Sequence, residues 1–333
     1  MKSVVGIGNA LTDMLVNISS DVVLQEYGLP KGSMSLVDGE LQTQISKAVA
    51  GAPHSLSLGG SAGNTIRCMA RLGTRVGFIG KVGYDGTGEF YEQALRNVGV
   101  EPFMLHSDKR SGKCLSLVSA DGERTLVTHL GAAADMHKED IAERMFEGYD
   151  CLYIEGYLVQ DHELIRTTVE RAKSHGLRVA LDLASFNVVE ENRDFLRRLV
   201  ADYVDIIFAN EDEARAFTAE ADPEVALHHI GAMCELAVVK IGMRGALIKR
   251  GEEVVHVGIM EAAKRVDTTG AGDFYAAGFL AALCEGLDLR QCGTLGAIAA
   301  GKVIEVVGTT FGEEAWRDIF ELYDEVRNRS LLF

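Results

Sequence analysis

The sequence predicts an α/β protein: a mostly parallel sheet sandwiched between helices, with a small antiparallel sheet as a lid. Three observations predict it. Short apolar, β-branched runs recur at residues 4–8, 75–80, 151–155, 178–183, 204–209 and 236–241, with the unbroken hydrophobicity of strands buried on both faces. Segments with apolar residues three and four apart lie between them, at 62–72, 87–98, 162–175, 194–201, 211–218 and 225–234, supplying the helical crossovers that parallel strands require. Residues 11–19 and 112–130 instead alternate apolar and polar side chains with period two, and Asp121-Gly122 separates strands expected at 114–120 and 123–130, a hairpin signature.

The period-two segments are inserted between elements of the larger sheet and cannot form a terminal domain. A flap over the C-terminal edge of that sheet is their natural place, with lid segments at about 11–38 and 102–130 in a single domain spanning 1–333. The last hundred residues add small-residue helices near 271–284 and 292–307 and an acidic amphipathic helix near 313–327.

A chain of 333 residues with 47% hydrophobic and 25% charged residues is neither disordered nor fibrous. Its net charge of −16 repels phosphate backbones and anionic lipid, so neither nucleic acid nor membrane is expected as a partner. An anionic ligand would need a local device to hold it. The opening run to Gly8 is too short for a signal peptide's apolar region, and no stretch reaches the roughly 18 apolar residues of a spanning helix; the expectation is a cytoplasmic protein. The six cysteines never form a C-x-x-C pair and read as buried, reduced thiols.

Two glycine motifs do not survive inspection. Gly6-x-Gly8 follows the first strand but has Leu11 where a dinucleotide fingerprint needs its third glycine. Gly296 to Lys302 fits G-x-x-x-x-G-K, yet Val303 stands where a hydroxyl must meet magnesium, and the run is helical in character. The segment Asp267-Thr268-Thr269-Gly270-Ala271-Gly272-Asp273 is different. Two glycines open a long helix and bare backbone N–H groups at its positive end, an anion hole. Asp273 alone could be a carboxylate complementing the helix dipole, but the Asp-Thr-Thr leader, the Gly-Ala-Gly turn and the Asp coincide in one heptapeptide.

Here the chain resembles the ribokinase-like, or PfkB, carbohydrate and nucleoside kinases, whose signature is D-T-x-G-A-G-D. Gly59-Gly60-Ser61-Ala62-Gly63-Asn64, Gly80 to Gly88 and Asn210-Glu211-Asp212-Glu213 are similar to further family motifs in family order, so the resemblance covers nearly the whole chain. It implies a three-layer α/β/α core, with residues 200–312 binding nucleotide and performing the transfer. It also implies ATP and Mg²⁺ as cofactors, Asp273 as catalytic base, and Gly270, Ala271 and Gly272 as the anion hole. Asn210 and Glu213 would hold magnesium through water, and Thr268 and the Lys240-Ile241-Gly242-x-x-Gly245 loop would contact nucleotide. A monovalent cation such as K⁺ beside Asp267 is implied by some members. Read without the resemblance, Asn210 and Glu213 are a helix cap and Lys240 to Gly245 a strand-end turn.

At the acceptor end, Asp13 resembles the carboxylate with which the family grips sugar hydroxyls, joined by Asn9, Gly59, Gly60, Ser61 and Asn64. The 8–13, 153–158 and 204–211 segments and Leu130 to Ala134 are most similar to adenosine kinases, where Tyr157 matches an aromatic that stacks on a purine; its plain alternative is a core-edge ring. Against this, Glu155 lies near a carboxylate used for sugar contacts, and Ser33 and Ser35 make segment 31–37 polar. Adenosine and a free sugar, such as ribose, fructose or 2-keto-3-deoxygluconate, both stay open as acceptors, and a non-catalytic sensor on the same fold is the alternative from another class. Exposed lid edges would need charges or a second subunit, leaving monomer and homodimer both open.

Overall fold

The structure, a computed structural model, describes residues 1–120, 123–262 and 264–333. In chain order, β1 (Ser3–Ile7) is followed by β2 (Leu11–Asn17), α1 (Val22–Glu26), β3 (Met34–Leu36), α2 (Gly39–Ala48), β4 (His54–Leu58) and α3 (Ser61–Arg71). Then come β5 (Arg75–Gly83), α4 (Gly86–Asn97), β6 (Glu101–Ser107), β7 (Gly112–Val118), β8 (Arg124–His129), β9 (Cys151–Glu155), α5 (His162–Ser174), β10 (Arg178–Asp182) and α6 (Phe186–Tyr203). The chain continues through β11 (Ile206–Asn210), α7 (Glu211–Thr218), α8 (Pro223–Gly231), β12 (Leu236–Lys240), β13 (Ala246–Arg250), β14 (Glu253–Val257), α9 (Ala271–Glu285), α10 (Leu289–Val303) and α11 (Glu313–Arg327).

Nine strands form the large sheet in the order β14-β13-β12-β11-β10-β9-β1-β5-β6, parallel from β12 to β6. Successive residues of its strands enter two separate cores. Val4, Tyr153, Phe208 and Val238 pack with α3, α9, α10 and α11, while Val5, Ile154, Ile207 and Val239 pack with α5 to α8. That is why the central strands read as continuous apolar runs instead of alternating.

The other five strands form the lid, in the order β3-β8-β7-β2-β4. The β7–β8 and β2–β4 pairs are antiparallel, as period-two alternation predicts, whereas β2–β7 and β3–β8 are parallel. The cause is insertion: β2 and β3 leave the large sheet in one excursion and β7 and β8 in another. The boundaries move accordingly. Residues 101–107, placed in the lid on sequence, pair with β5 as the edge of the large sheet, and the lid gains β4 at 54–58. The Asp121-Gly122 turn lies outside the described residues.

Three further differences have local causes. The antiparallel pair β13–β14 extends the large sheet beyond β12 through the short Gly251-Glu252 turn, a signal that seven preceding parallel strands conceal. Helix α6 begins at Phe186, eight residues before the apolar period, with a kink at Asn192 that breaks the repeat. The 153–158 segment is strand only as far as Glu155, and a 3₁₀ turn over residues 156–160 carries Tyr157. Among the described residues no helix is long and apolar enough to cross a membrane, and no disulfide links the six cysteines.

Helices α9 and α10 cross closely because Gly278 has no side chain: a Cβ there would lie 2.4 Å from the carbonyl oxygen of Leu295. Backbone cannot yield as a flexible side chain can. Gly278→Ala is therefore expected to cost about 1–3 kcal/mol, read as a lower denaturant midpoint with an unchanged m-value.

Candidate functional site

The parallel strands deliver side chains to one place, their shared C-terminal edge, where open α/β sheets bind ligands. A cavity of about 710 Å³ runs along that edge beneath the lid. Strand β1 lies between β5, its successor in the large sheet, and β9, so the chain changes direction at β1, and the cavity opens there.

Asp273 lies in the first turn of α9. Its two oxygens accept from different residues of α3: Ser61 Oγ to Oδ1 at 2.7 Å and Asn64 Nδ2 to Oδ2 at 2.9 Å. Burial drives its carboxyl up to about 7 against those two bonds, with Asp182 and Glu155 adding to the rise. Such a group exchanges protons near neutral pH, as a general base must.

The turn before α9 takes its shape from Gly270, whose φ of 77° is left-handed and suits glycine. The Ala271 N–H donates to the Thr268 carbonyl at 3.2 Å, so Ala271 does not offer a free N–H to an anion. The bare donors are those of Gly272 and Asp273, which precede the first intrahelical bond. Lys240 Nζ stands beside them, 3.1 Å from where a Gly272 Cβ would be, and pairs with Asp182 at 3.3 Å. Burial presses the Lys240 ammonium down, but Asp182 and Glu213 outweigh it, so it stays charged.

Asn210 and Glu213 form the expected cap of α7. Glu213 N donates to Asn210 Oδ1 at 2.9 Å, and Asn210 N and Nδ2 donate to the two Glu213 oxygens at 2.7 Å each. Both also line the cavity, so cap and wall are one structure. Burial pushes Glu213 up.

The remaining candidates divide into those that line the cavity and those that shape it. Asp13, Gly60, Ser61, Asn64, Tyr157, Lys240, Gly242, Gly245 and Thr268 line it. Asp13 is pushed up to about 6 by burial, with Arg67 and Arg124 pulling it back. Gly59 does not line it, and a Cβ there would strike the Asp13 carboxylate at 2.3 Å; its role is to leave room. Asn9 lies behind the wall, donating from Nδ2 to Glu155 Oε1 at 2.6 Å. The other Glu155 oxygen accepts from Ala62 N at 3.0 Å, and the residue is 2% exposed. Glu155 therefore anchors the start of α3 and is not free to contact a sugar.

Two expectations are corrected. Leu130 lies outside the cavity, its carbonyl crowding Gly112 at the lid base, because the β8 residues that face inward are Arg124, Leu126 and Thr128. Where a monovalent cation was expected beside Asp267, its carboxylate pairs with Arg124 of the lid and accepts from Gly308 N at 2.8 Å and Thr269 Oγ1 at 2.8 Å. A guanidinium already neutralises it.

Sequence reasoning missed Arg67, Asp182 and Arg124. Asp182 ends a buried strand at the edge where the other site residues emerge, and that position was a readable signal. Arg124 was hidden by its neighbourhood, just past the hairpin turn, where a charged residue ordinarily means a solvated loop.

Residues 41–316 match the pfkB family carbohydrate kinases. The fold superposes on adenosine kinase from Sinorhizobium meliloti with a TM-score of 0.85 and 34% identity, covering 96% of this chain and 99% of that one. It superposes on a probable sugar kinase from Rhizobium etli with a TM-score of 0.86 and 31% identity, covering 96% and 98%. By sequence the chain is 28% identical to adenosine kinase of Saccharomyces cerevisiae over 330 residues, 92% of this chain and 96% of that protein.

Burial of Asp273 has a stability consequence with a definite sign. Its folded value is raised from 3.8 to about 7, so the native state holds more protons than the unfolded one between those values, and stability falls as pH rises through that window. Asp273→Asn removes the penalty. The variant is expected to be more thermostable than the parent, with a larger gain at pH 8 than at pH 5 in thermal melts; a gain independent of pH would contradict the raised carboxyl.

Proposed function

The chain belongs to the pfkB family of carbohydrate kinases, and from that premise we propose that it phosphorylates the primary hydroxyl of a nucleoside, adenosine first among them, with ATP as donor. The observation that carries the acceptor is the inner face of the lid. Strand register sets Ser57, Asp13, Cys114 and Thr128 side by side, and two residues further on it sets Leu15, Ser116 and Leu126 side by side.

Two residues along a strand are about 6–7 Å, close to the offset between a ribose ring and its base. The first row offers a carboxylate for vicinal hydroxyls. The second is an apolar shelf with one buried hydroxyl, that of Ser116, which has no partner among the described residues. A nucleobase would cover the leucines and meet that hydroxyl; a free sugar would reach only the first row and leave the shelf empty.

At the other end of the cavity the small residues Ala297, Ala300 and Gly301 of α10, with Met260 and Ile304, line an apolar slot suited to the donor's adenine. The spacing that imitates a phosphate loop is thus a row of small side chains leaving space for a ring. Between the two ends, Gly272 and Asp273 N–H and Lys240 meet the transferred group. Asp273, ionised, takes the proton of the acceptor hydroxyl and orients its oxygen, and Ser61 and Asn64 hold the base in place. The lid excludes water.

Asn210 and Glu213 bring an amide oxygen and a carboxylate to the cavity wall, which fits magnesium kept largely hydrated and held through water; no cluster of three metal-ligating side chains exists among the described residues. When bound with the nucleotide, magnesium supplies neutralisation of phosphate charge.

Release of ADP from Mg-ATP with adenosine, inosine, ribose, fructose and 2-keto-3-deoxygluconate tests the reading. Turnover with adenosine is expected to rise as pH increases through about 7, where Asp273 ionises, and to fall roughly 10²–10⁴-fold in Asp273→Asn. Turnover confined to a free sugar would overturn the nucleoside assignment, and ligand binding without turnover would favour a sensor. Ser116→Val is expected to raise the KM for adenosine several-fold, about 1 kcal/mol for a lost hydrogen bond, while leaving the KM for ATP in place.

A further inference from the structure

Arg67 lies one turn beyond Asn64 on α3 and does not line the cavity. Its Nη2 donates to Asn64 Oδ1 at 2.7 Å and to Thr309 Oγ1 at 2.9 Å, with a longer bond to the Thr309 carbonyl at 3.4 Å. The Thr309 hydroxyl in turn donates to the same Asn64 oxygen at 3.1 Å. An amide whose carbonyl oxygen is claimed by two donors has one favourable orientation. Here that orientation sends its NH₂ to Asp273 Oδ2.

Thr309 reaches further. Its methyl group lies 2.7 Å from where a Cβ on Gly270 would be, and the preceding residue, Gly308, donates to Asp267. The 308–309 loop therefore touches the first residue and the central glycine of the heptapeptide that carries the anion hole, and Arg67 fastens this loop to the helix that holds the base. The guanidinium is kept at a cost: burial lowers its proton affinity, and its Nε has no partner among the described residues. Asp13 and Asp273 both support its charge from a distance.

We propose that Arg67 is a positioning residue of the transfer reaction, orienting the Asn64 amide toward Asp273 and tying the acceptor-side helix to the loop that shapes the anion hole. The inference rests on the kinase reading above. It adds an electrostatic consequence, since a cation near Asp273 favours the ionised base. The other groups facing Asp273 are Ser61 and Asn64 on α3, Asp182 on β10, Glu155 and Tyr153 on β9, Tyr157 in the turn after β9, and Lys240 on β12. The two carboxylates resist ionisation of the base and Lys240 favours it, while the phenols, raised above their ordinary value, are neutral where Asp273 titrates, so loss of Arg67 leaves Lys240 alone against both carboxylates.

The test compares Arg67→Met, Arg67→Lys and Thr309→Val with the parent and Asp273→Asn, using adenosine and Mg-ATP. Arg67→Met is expected to lower kcat roughly 10²-fold, the scale of a misplaced catalytic group, with the KM for ATP within about twofold. Its acid limb in kcat should move to higher pH, and Arg67→Lys should return the limb while leaving kcat reduced. Thr309→Val is expected to lower kcat about tenfold and to be non-additive with Arg67→Met, as residues in one hydrogen-bonded network are.

Unchanged kcat and pH limb in Arg67→Met, with Asp273→Asn inactive, would overturn the role of Arg67 and leave the kinase reading standing. An active Asp273→Asn would overturn that reading itself. Should Arg67→Met fail to fold, Thr309→Val reads the amide lock by itself, and an unchanged kcat there sinks the proposal.

Discussion

Two hydrogen bonds, from Ser61 and Asn64 to the opposite oxygens of Asp273, join the start of α3 to the start of α9. Most of what surrounds them exists to keep those helix ends in register. Glu155, buried at the end of β9, holds the Ala62 N–H and Asn9 and so fixes where α3 begins. Thr65 adds a bond to the Asp273 carbonyl at 3.2 Å. Gly60, with φ of 81° and no room for a Cβ beside the Asn9 carbonyl, lets the chain turn sharply from the lid into α3. A carboxylate held by two neutral donors in a dry place is poised rather than stabilised, and the rise of its proton affinity is the measure of that.

An acidic protein that binds a polyanion must concentrate positive potential where it is needed. The chain carries 49 acidic against 33 basic residues, yet the cavity gathers the exposed Arg265 at its edge and three buried or half-buried cations, Lys240 and Arg124 on its walls and Arg67 behind them, beside the N-terminus of α9. Each of these three is near a carboxylate of the protein: Lys240 beside Asp182, Arg124 beside Asp267, Arg67 between Asp13 and Asp273. None is left as a bare buried charge, which would cost several kcal/mol. A phosphate entering this field would compete for partners that are already oriented.

How much of this was legible in the sequence depends on whether the signal was local. The heptapeptide at 267–273 announces its helix start because glycines and the acid are consecutive, and the cap at Asn210 and Glu213 is a three-residue pattern. The large sheet is legible because strands buried on both faces leave apolar runs. Long-range partnerships left no such trace. Arg67 and Thr309 are 242 residues apart, and Arg124 and Asp267 are 143 apart; neither pair is visible until the fold brings it together. Glu155 misled for the same reason, since a carboxylate at a strand mouth reads as a ligand contact until Asn9 and Ala62 are seen to occupy it.

The pair of Arg124 and Asp267 bears on how the lid works. Strand β8 contributes Leu126 and Thr128 to the acceptor rows, and Arg124 lies on the same face, one side-chain repeat before Leu126. Its guanidinium crosses to Asp267, the first residue of the 267–273 segment, so the lid sheet is tethered to the turn before α9. That carboxylate also holds Gly308, next to Thr309, which reaches Asn64 through Arg67. The lid, the turn before α9 and Asp273 are thereby linked through hydrogen bonds and the Gly308–Thr309 peptide. Asp267 is the residue at which these links meet, so a substitution there would loosen the lid and the 308–309 loop together.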